Sequence, residues 1–173
     1  RFKPDIKMKY VYYYDKANNS SLEWRFPNKT FEERVELLCQ ANKLNRKMFI
    51  TPEEIKEIID LTPEHNKFIR IVERENGQKA YLRMFNDNEK HPAEAEISAT
   101  LKRFISPSPM VAFSIGYGSR EIDNYGGRGF YLFAEDKWFR QSLLNNGFDT
   151  KPIDLDKDPI DDSINVLVIS DLR

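Results

Sequence analysis

The sequence has little of several features on which particular protein classes depend. It contains one cysteine, Cys39, so an internal disulfide is excluded. Its net charge of −1 argues against a nucleic-acid-binding surface built on excess positive charge. No run of about 18 apolar residues occurs, so no segment is predicted to span a membrane. A composition of 40% hydrophobic and 32% charged residues instead predicts a soluble globular chain of one large or two small domains.

Histidine is also scarce, and this limits the catalytic chemistry that the sequence can predict. Its two histidines, His65 and His91, fall on predicted loops. The sequence places neither of them near Ser114, Ser119 or Cys39, and no Gly-x-Ser-x-Gly motif is present. We therefore predict no catalytic residues.

Residues 1–91 are predicted to form a small N-terminal α/β portion. A period-two pattern predicts a strand from Ile6 to Tyr14, whose tyrosines form either a half-buried sheet face or a platform for a carbohydrate or aromatic ligand. Thr30 and Glu33 match a capping box that opens a helix to about Asn45. A second helix is predicted from the Thr51-Pro52 start signal to about residue 61.

The same portion is predicted to contain a β-hairpin over residues 68–85. Asn76-Gly77 lies between two strand-like runs, 68–72 and 80–85. Both central residues of a type I′ turn need positive φ, and Asn-Gly supplies them. The sequence therefore predicts an antiparallel hairpin with a type I′ turn.

Residues 92–173 are predicted to form a parallel α/β portion, truncated at its C-terminus. Helices are expected over 92–105 and 131–146, the first with Ile97, Leu101, Phe104 and Ile105 on its buried side. Strands are expected at 110–115, within 148–155 and at 164–170. This alternation predicts a mainly parallel sheet with flanking helices, either Rossmann/flavodoxin-like or glutamine-amidotransferase-like.

The stretch from Pro109 to Arg120 is the best candidate for a functional region. Its apolar run, Met110 to Ile115, is typical of a strand covered on both faces, and Gly116-Tyr117-Gly118 follows it. Ligands of open α/β sheets bind beyond the carboxyl ends of such strands, so residues 116–129 are the expected site. The candidate binding residues are Gly116, Tyr117, Gly118, Ser119, Arg120 and Arg128. Arg120 and Arg128 could instead pair with the nearby acids Glu121 and Asp123 at the surface.

Two cofactor motifs are matched only in part. After Gly116 and Gly118 the next glycine is Gly126, too late for a dinucleotide-binding fingerprint. Asp154-x-Asp156-x-Asp158 is similar to the start of a calcium loop, but Pro159 and Asn165 stand where that loop needs glycine and glutamate. We therefore predict no cofactor and no metal site, and a solvated acidic loop over residues 156–163.

Four segments resemble the gliding-motility-type (Gld) auxiliary family of ABC transporters, which shares its GIFT domain with intraflagellar-transport proteins. They are Pro92 to Arg103, Val111 to Arg120, Leu143 to Asp149 and Asp161 to Ile169. The family's central strand ends in Gly-His-Gly-Glu-Arg. Here Gly116, Gly118 and Arg120 match that motif, whereas Tyr117 and Ser119 replace its histidine and glutamate.

The resemblance implies a non-catalytic extracytoplasmic domain of an ABC-type export or gliding-type system of the kind found in Bacteroidetes. Its partners would be the permease and ATPase subunits, and it would act by binding protein or a glycan on the periplasmic face of the cytoplasmic membrane. The segment itself would be soluble, with its membrane tether outside it, and Arg1 as first residue fits an excised or processed piece. The alternatives are a small-ligand-binding or hydrolytic α/β enzyme with its site at 116–129, and a scaffold without a ligand.

Overall fold

A computed structural model describes residues 7–15, 20–85, 87–89, 91–116 and 118–170 of the chain. Two units can be distinguished, residues 1–67 and residues 68–173. Short parallel and antiparallel sheets and a few short helices make this a mixed α/β protein, as the sequence predicts at that level.

In its described residues, the first unit combines a very short parallel strand pair with three α-helices. Its elements are β1 (Tyr12–Tyr13), α1 (Ser20–Arg25), α2 (Phe31–Ala41), β2 (Phe49–Ile50) and α3 (Pro52–Ile58). The two strands pair in register, Tyr12 with Phe49 and Tyr13 with Ile50.

Both predicted helix starts of this unit are confirmed. Thr30 Oγ1 accepts a hydrogen bond from the Glu33 amide at 3.2 Å, and the Glu33 carboxylate accepts one from the Thr30 amide at 2.8 Å. Thr51 and Glu54 form the same reciprocal pair. Such boxes satisfy amides that the first helical turn leaves unpaired. Cys39 is buried on α2, as predicted.

The tyrosine-rich strand is much shorter than predicted. Only Tyr12 and Tyr13 pair with β2, while Met8 and Tyr10 are 74% and 72% exposed. The physical reason is the length of the partner strand, because the Thr51 N-cap of α3 follows β2 directly. The prediction of a half-buried face was therefore wrong for Met8 and Tyr10, and Ile6 lies outside the described residues.

In its described residues, the second unit contains a hairpin, two α-helices and a three-stranded parallel sheet. Its elements are β3 (Ile69–Glu73), β4 (Lys79–Arg83), α4 (Glu94–Lys102), β5 (Met110–Ser114), α5 (Tyr131–Ala134), β6 (Asp149–Ile153) and β7 (Ile164–Val168). The sheet order is β6-β5-β7 with all three strands parallel. The predicted parallel arrangement is confirmed, with β5 at its centre.

The hairpin is confirmed, but its turn is of a different type. β3 and β4 pair antiparallel from Ile69 with Arg83 to Glu73 with Lys79. Gly77 has φ +82°, and its amide donates to the Arg74 carbonyl at 2.9 Å. Asn76 is not among the residues with positive φ, so this is a three-residue loop ending in a left-handed glycine rather than a type I′ turn.

The hairpin lies in the second unit, together with the parallel sheet. The reason is the packing of α4 on β4. Thr100 Oγ1 donates to the Tyr81 carbonyl at 3.3 Å, and the Arg74 guanidinium reaches the Phe104 carbonyl at 3.0 Å.

This packing also reverses the predicted buried side of α4. Glu96 and Thr100 are buried, whereas Ile97, Leu101 and Ile105 are 40%, 50% and 80% exposed. The polar side faces inward because Arg140 pairs with Glu96 and the β4 backbone accepts from Thr100. Apolar periodicity gave the wrong side of this helix.

The helix predicted over 131–146 is interrupted after Ala134. The Asp136 carboxylate accepts from the Trp138 amide at 2.7 Å, a local turn that competes with helix formation. The Asn145 side-chain amide then donates to the carbonyls of Asp136, Lys137 and Phe139. These bonds replace the ones that a continuous helix would provide.

The core of the second unit lies on one face of β5. Val111 and Phe113 are 4% and 1% exposed and pack with Ile122 and Ala134. The opposite face carries Ala112 and Ser114, which are also buried. β5 is thus covered on both faces, as its apolar run predicts.

Candidate functional site

At the carboxyl edge of the parallel sheet, hydrogen bonds link the segments that follow its three strands. Beyond β5, the Ile115 amide donates to the Ile153 carbonyl at the end of β6, at 2.9 Å. The Arg120 amide donates to Ser170 Oγ, two residues past β7, at 3.4 Å. The segment after β5 is therefore held from both sides at the edge where α/β sheets bind ligands.

The glycine turn at this edge needs its glycines. Gly116 and Gly118 have φ of +87° and +75°, a backbone region that side-chain-bearing residues rarely adopt. The Ser119 amide closes the turn on the Gly116 carbonyl at 2.9 Å. The amides of Gly116 and Gly118 themselves have no acceptor among the described residues. Tyr117 lies outside them.

Two serine hydroxyls flank the turn without hydrogen-bond partners. Ser114 is 2% exposed, and Ser119 is half-buried with its Oγ covered. Neither oxygen has a partner within the part of the chain that the structure describes. Buried polar groups nearly always have one, so a pair of exceptions five residues apart needs a reason.

Arg128 stands apart from this turn, on a separate loop. That loop is closed by hydrogen bonds from the Phe130 amide to the Glu121 carbonyl, at 2.9 Å, and from the Tyr131 amide to the Asn124 carbonyl. A Cβ on Gly129 would lie 1.9 Å from the Asn124 carbonyl oxygen, so only glycine fits there. Arg128 is exposed on this loop.

The structure therefore brings part of the predicted site together. Gly116, Gly118, Ser119 and Arg120 share one turn at the sheet edge, and Arg128 does not belong to it. Sequence reasoning left Ser114 and Ser170 out of the site. The only available signal was that Ser114 ends the buried strand, while nothing local marks Ser170, which tertiary contact alone brings to Arg120.

A cleft of about 390 Å³ lies elsewhere, between β4 and α4. Its polar groups already have partners: Arg83 donates to Asn145 Oδ1, and Arg103 donates to the Asp149 carboxylate at 2.8 Å. None of the predicted site residues lines it. The cleft is part of the packing between hairpin and helix.

The acidic loop after β6 uses its carboxylates for its own turns. Asp154 accepts from the Asp156 amide at 3.1 Å and pairs with Lys157 at 2.6 Å. Asp161 accepts from the Ser163 amide at 2.8 Å and from the Ser163 hydroxyl. No cluster of three or more metal-binding side chains occurs in the described ranges.

These bonds make the order of the acidic loop depend on pH. The hydrogen bond from Lys157 and then the Asp156 amide lower the pKa of Asp154 below its ordinary 3.8. The Ser163 hydroxyl and amide lower the pKa of Asp161 in the same way. Since both folded pKa values lie below the unfolded ones, the stabilisation is complete above pH 3.8 and is lost as the pH falls through the folded values.

We expect carboxyl-carbon NMR titration to give midpoints below 3.8 for Asp154 and Asp161, with the Ser163 amide shifting at the Asp161 midpoint. The Ser163→Ala variant removes one donor and should raise the Asp161 midpoint while leaving that of Asp154 unchanged. Midpoints at or above 3.8 in the unmodified chain would contradict this account of the loop.

Comparisons of the chain with models of protein families, with curated proteins and with solved structures find no match. The described helices include none with the length and apolar character that a bilayer span requires. Function is therefore argued from the residues at the sheet edge and from the resemblance of the sequence segments.

Proposed function

We propose that the chain is a non-catalytic extracytoplasmic domain of an ABC-type export or gliding-type transport system, working beside its permease and ATPase. One observation carries the proposal. One of the segments that resemble the Gld/GIFT family, 111–120, contains most of the central strand and its carboxyl-edge turn. Gly116 and Gly118, which match the family motif, are the residues whose positive φ the turn requires.

The finer fold class is part of the same proposal. A parallel β6-β5-β7 order with the binding turn after the central strand is the arrangement of Rossmann/flavodoxin-like or glutamine-amidotransferase-like sheets. In such sheets the strands supply a rigid base, and the loops at the carboxyl edge supply recognition. We place the binding surface for a protein or a glycan at residues 116–129.

Membrane complexes of the native host test this assignment. The full-length gene product, tagged and extracted in mild detergent, is expected to co-purify with an ATPase and a multi-span permease. A photo-crosslinking amino acid at the exposed Arg128 should capture a component of that complex. The same amino acid at Lys157, whose side chain is 78% exposed on the acidic loop, is the matched control. Purification of the full-length product without ATPase or permease would contradict the proposal.

A second candidate function is favoured by the serine hydroxyls. Ser114 and Ser119 lack partners at the edge where small ligands bind, and two free donors suit a small polar ligand. The chain would then be a small-ligand-binding or hydrolytic α/β enzyme with its site at the same loop. Turnover of a small ester or amide substrate that is lost in Ser119→Ala, together with no transporter partner, would favour this candidate.

A further inference from the structure

Several hydrogen-bonding groups at the end of β5 and in the turn that follows it have no partner among the described residues. Four polar groups between residues 114 and 119 lack an acceptor in the described part of the chain: the Gly116 and Gly118 amides and the Ser114 and Ser119 hydroxyls. All four can donate a hydrogen bond. The two amides can only donate, and the two hydroxyls can donate or accept, so a ligand with acceptor atoms can satisfy all four groups.

From this cluster we propose that the turn after β5 is a binding site for a single oxyanionic group, a carboxylate or a phosphate. Backbone amides in turns with positive φ form anion-binding concavities, because their N–H dipoles are fixed in place by the chain. Gly116 and Gly118 are exposed, so their amides are accessible to a ligand from solvent. The hydroxyl of Ser119 adds a third donor after rotation about its χ1 bond, which costs a serine little.

Hydrogen bonds on both sides of the turn indicate that its backbone is held in place. The Ile115 amide is tied to β6 and the Arg120 amide to Ser170, so both ends of the turn are fixed. Fixed donors lose little conformational entropy on binding. Ser114, the last residue of β5, is a further buried hydroxyl without a hydrogen-bond partner in the described residues.

This inference deepens the proposed function, since it names the chemical class of ligand for the same surface. It does not depend on whether the ligand comes from a transporter partner or from solution. A carboxylate would suit the C-terminus or an acidic side chain of a protein partner, and a phosphate would suit a phosphorylated small molecule. The two sources share the same chemistry at the turn and differ in the probe that binds better.

Titration of the ¹⁵N-labelled chain with sodium phosphate and, separately, with sodium acetate tests the site. Saturable shifts of the Gly116 and Gly118 amides are expected, with sodium chloride at matched ionic strength as the reference. Gly77 is an internal control, because it also has positive φ but its amide is already bonded to the Arg74 carbonyl at 2.9 Å. Stronger binding of acetate points to a carboxylate of a protein partner as the ligand, and stronger binding of phosphate points to a phosphorylated small molecule. Shifts no larger than those with chloride, or equal shifts at Gly77, would overturn the proposal.

The Ser119→Ala variant tests the side-chain donor. Loss of one hydrogen bond to a ligand should weaken binding by about 3- to 10-fold. Ser163→Ala, which removes a hydroxyl from the acidic loop, should leave the affinity unchanged. Equal affinity in Ser119→Ala and in the unmodified chain would show that the Ser119 hydroxyl does not bind the anion. If the chain binds the anion but does not co-purify with a transporter, the proposed function alone is refuted. If it co-purifies with a transporter but does not bind the anion, only this inference is refuted.

Discussion

Replacing Phe113 with alanine is expected to destabilise the second unit by about 4 kcal/mol, within the range measured for large-to-small changes at buried phenylalanines. Phe113 is 1% exposed in the central strand, and its ring lies 5.2 Å from that of Phe130. It also packs with Val111 and Ile122. Truncation therefore leaves a cavity that strands on both sides prevent from closing. Urea unfolding followed by circular dichroism measures the loss.

Phe68→Ala is the matched control for this prediction. Phe68 is a phenylalanine of the same unit that is 64% exposed, so its truncation should change the free energy of unfolding by no more than about 0.5 kcal/mol. Phe113→Leu keeps most of the buried volume and should fall between the two. Equal effects of Phe113→Ala and Phe68→Ala would show that β5 is not the centre of the core.

Replacing Arg140 with methionine is expected to cost about 3 kcal/mol, because it leaves a buried carboxylate without its cation. Arg140 pairs with Asp87 at 2.7 Å and with Glu96, whose side chain is 5% exposed. Its guanidinium also lies 4.6 Å from the centre of the Phe85 ring. Hydrogen bonding to Asp87 and to Glu96 raises the pKa of Arg140 above its usual value, against the effect of burial.

The double variant Glu96→Gln with Arg140→Met distinguishes the loss of the ion pair from the cost of leaving the buried Glu96 carboxylate unpaired. Because glutamine carries no charge, this variant is expected to be more stable than Arg140→Met alone. Lys157→Met removes a lysine whose side chain is 78% exposed in its pair with Asp154, and a far smaller loss of stability than in Arg140→Met is expected from it. If Arg140→Met behaved like Lys157→Met, the buried pair would have no structural role.

The link between these stability predictions and function is the strand β5. Phe113 fixes the strand, and the turn that begins three residues later, at Gly116, holds donors proposed to bind an oxyanion. A variant that loosens the core should therefore also weaken the order of the turn. A change confined to Ser119 should affect binding and leave the free energy of unfolding nearly unchanged.

Local signals were sufficient where neighbouring residues alone decide the structure. The Thr30 and Thr51 capping boxes, the hairpin around Asn76-Gly77 and the buried strand Met110 to Ile115 were all predicted from short patterns. Each depends on hydrogen bonds or apolar contacts that a few adjacent residues specify. The parallel sheet followed from the order of these elements.

Local signals failed where a distant group changed the outcome. Ile97 and Leu101 were predicted to be buried, yet Arg140 and the Tyr81 carbonyl draw the opposite, polar side of α4 inward. The predicted helix over 131–146 was interrupted because Asn145 satisfies carbonyls that a helix would have paired. In both cases the deciding partner is distant in sequence or acts through a side chain that a periodic pattern ignores.

For the candidate site, the sequence alone determined the residue types and their place after the central strand. Gly116 and Gly118 could be predicted as turn residues because only glycine adopts positive φ at little cost. The tertiary structure decided which groups stay unpaired and which are joined, such as the Arg120 amide on Ser170 and the free hydroxyls of Ser114 and Ser119. Whether a donor finds an acceptor depends on chain segments about fifty residues apart meeting at one sheet edge, and no local pattern encodes that meeting.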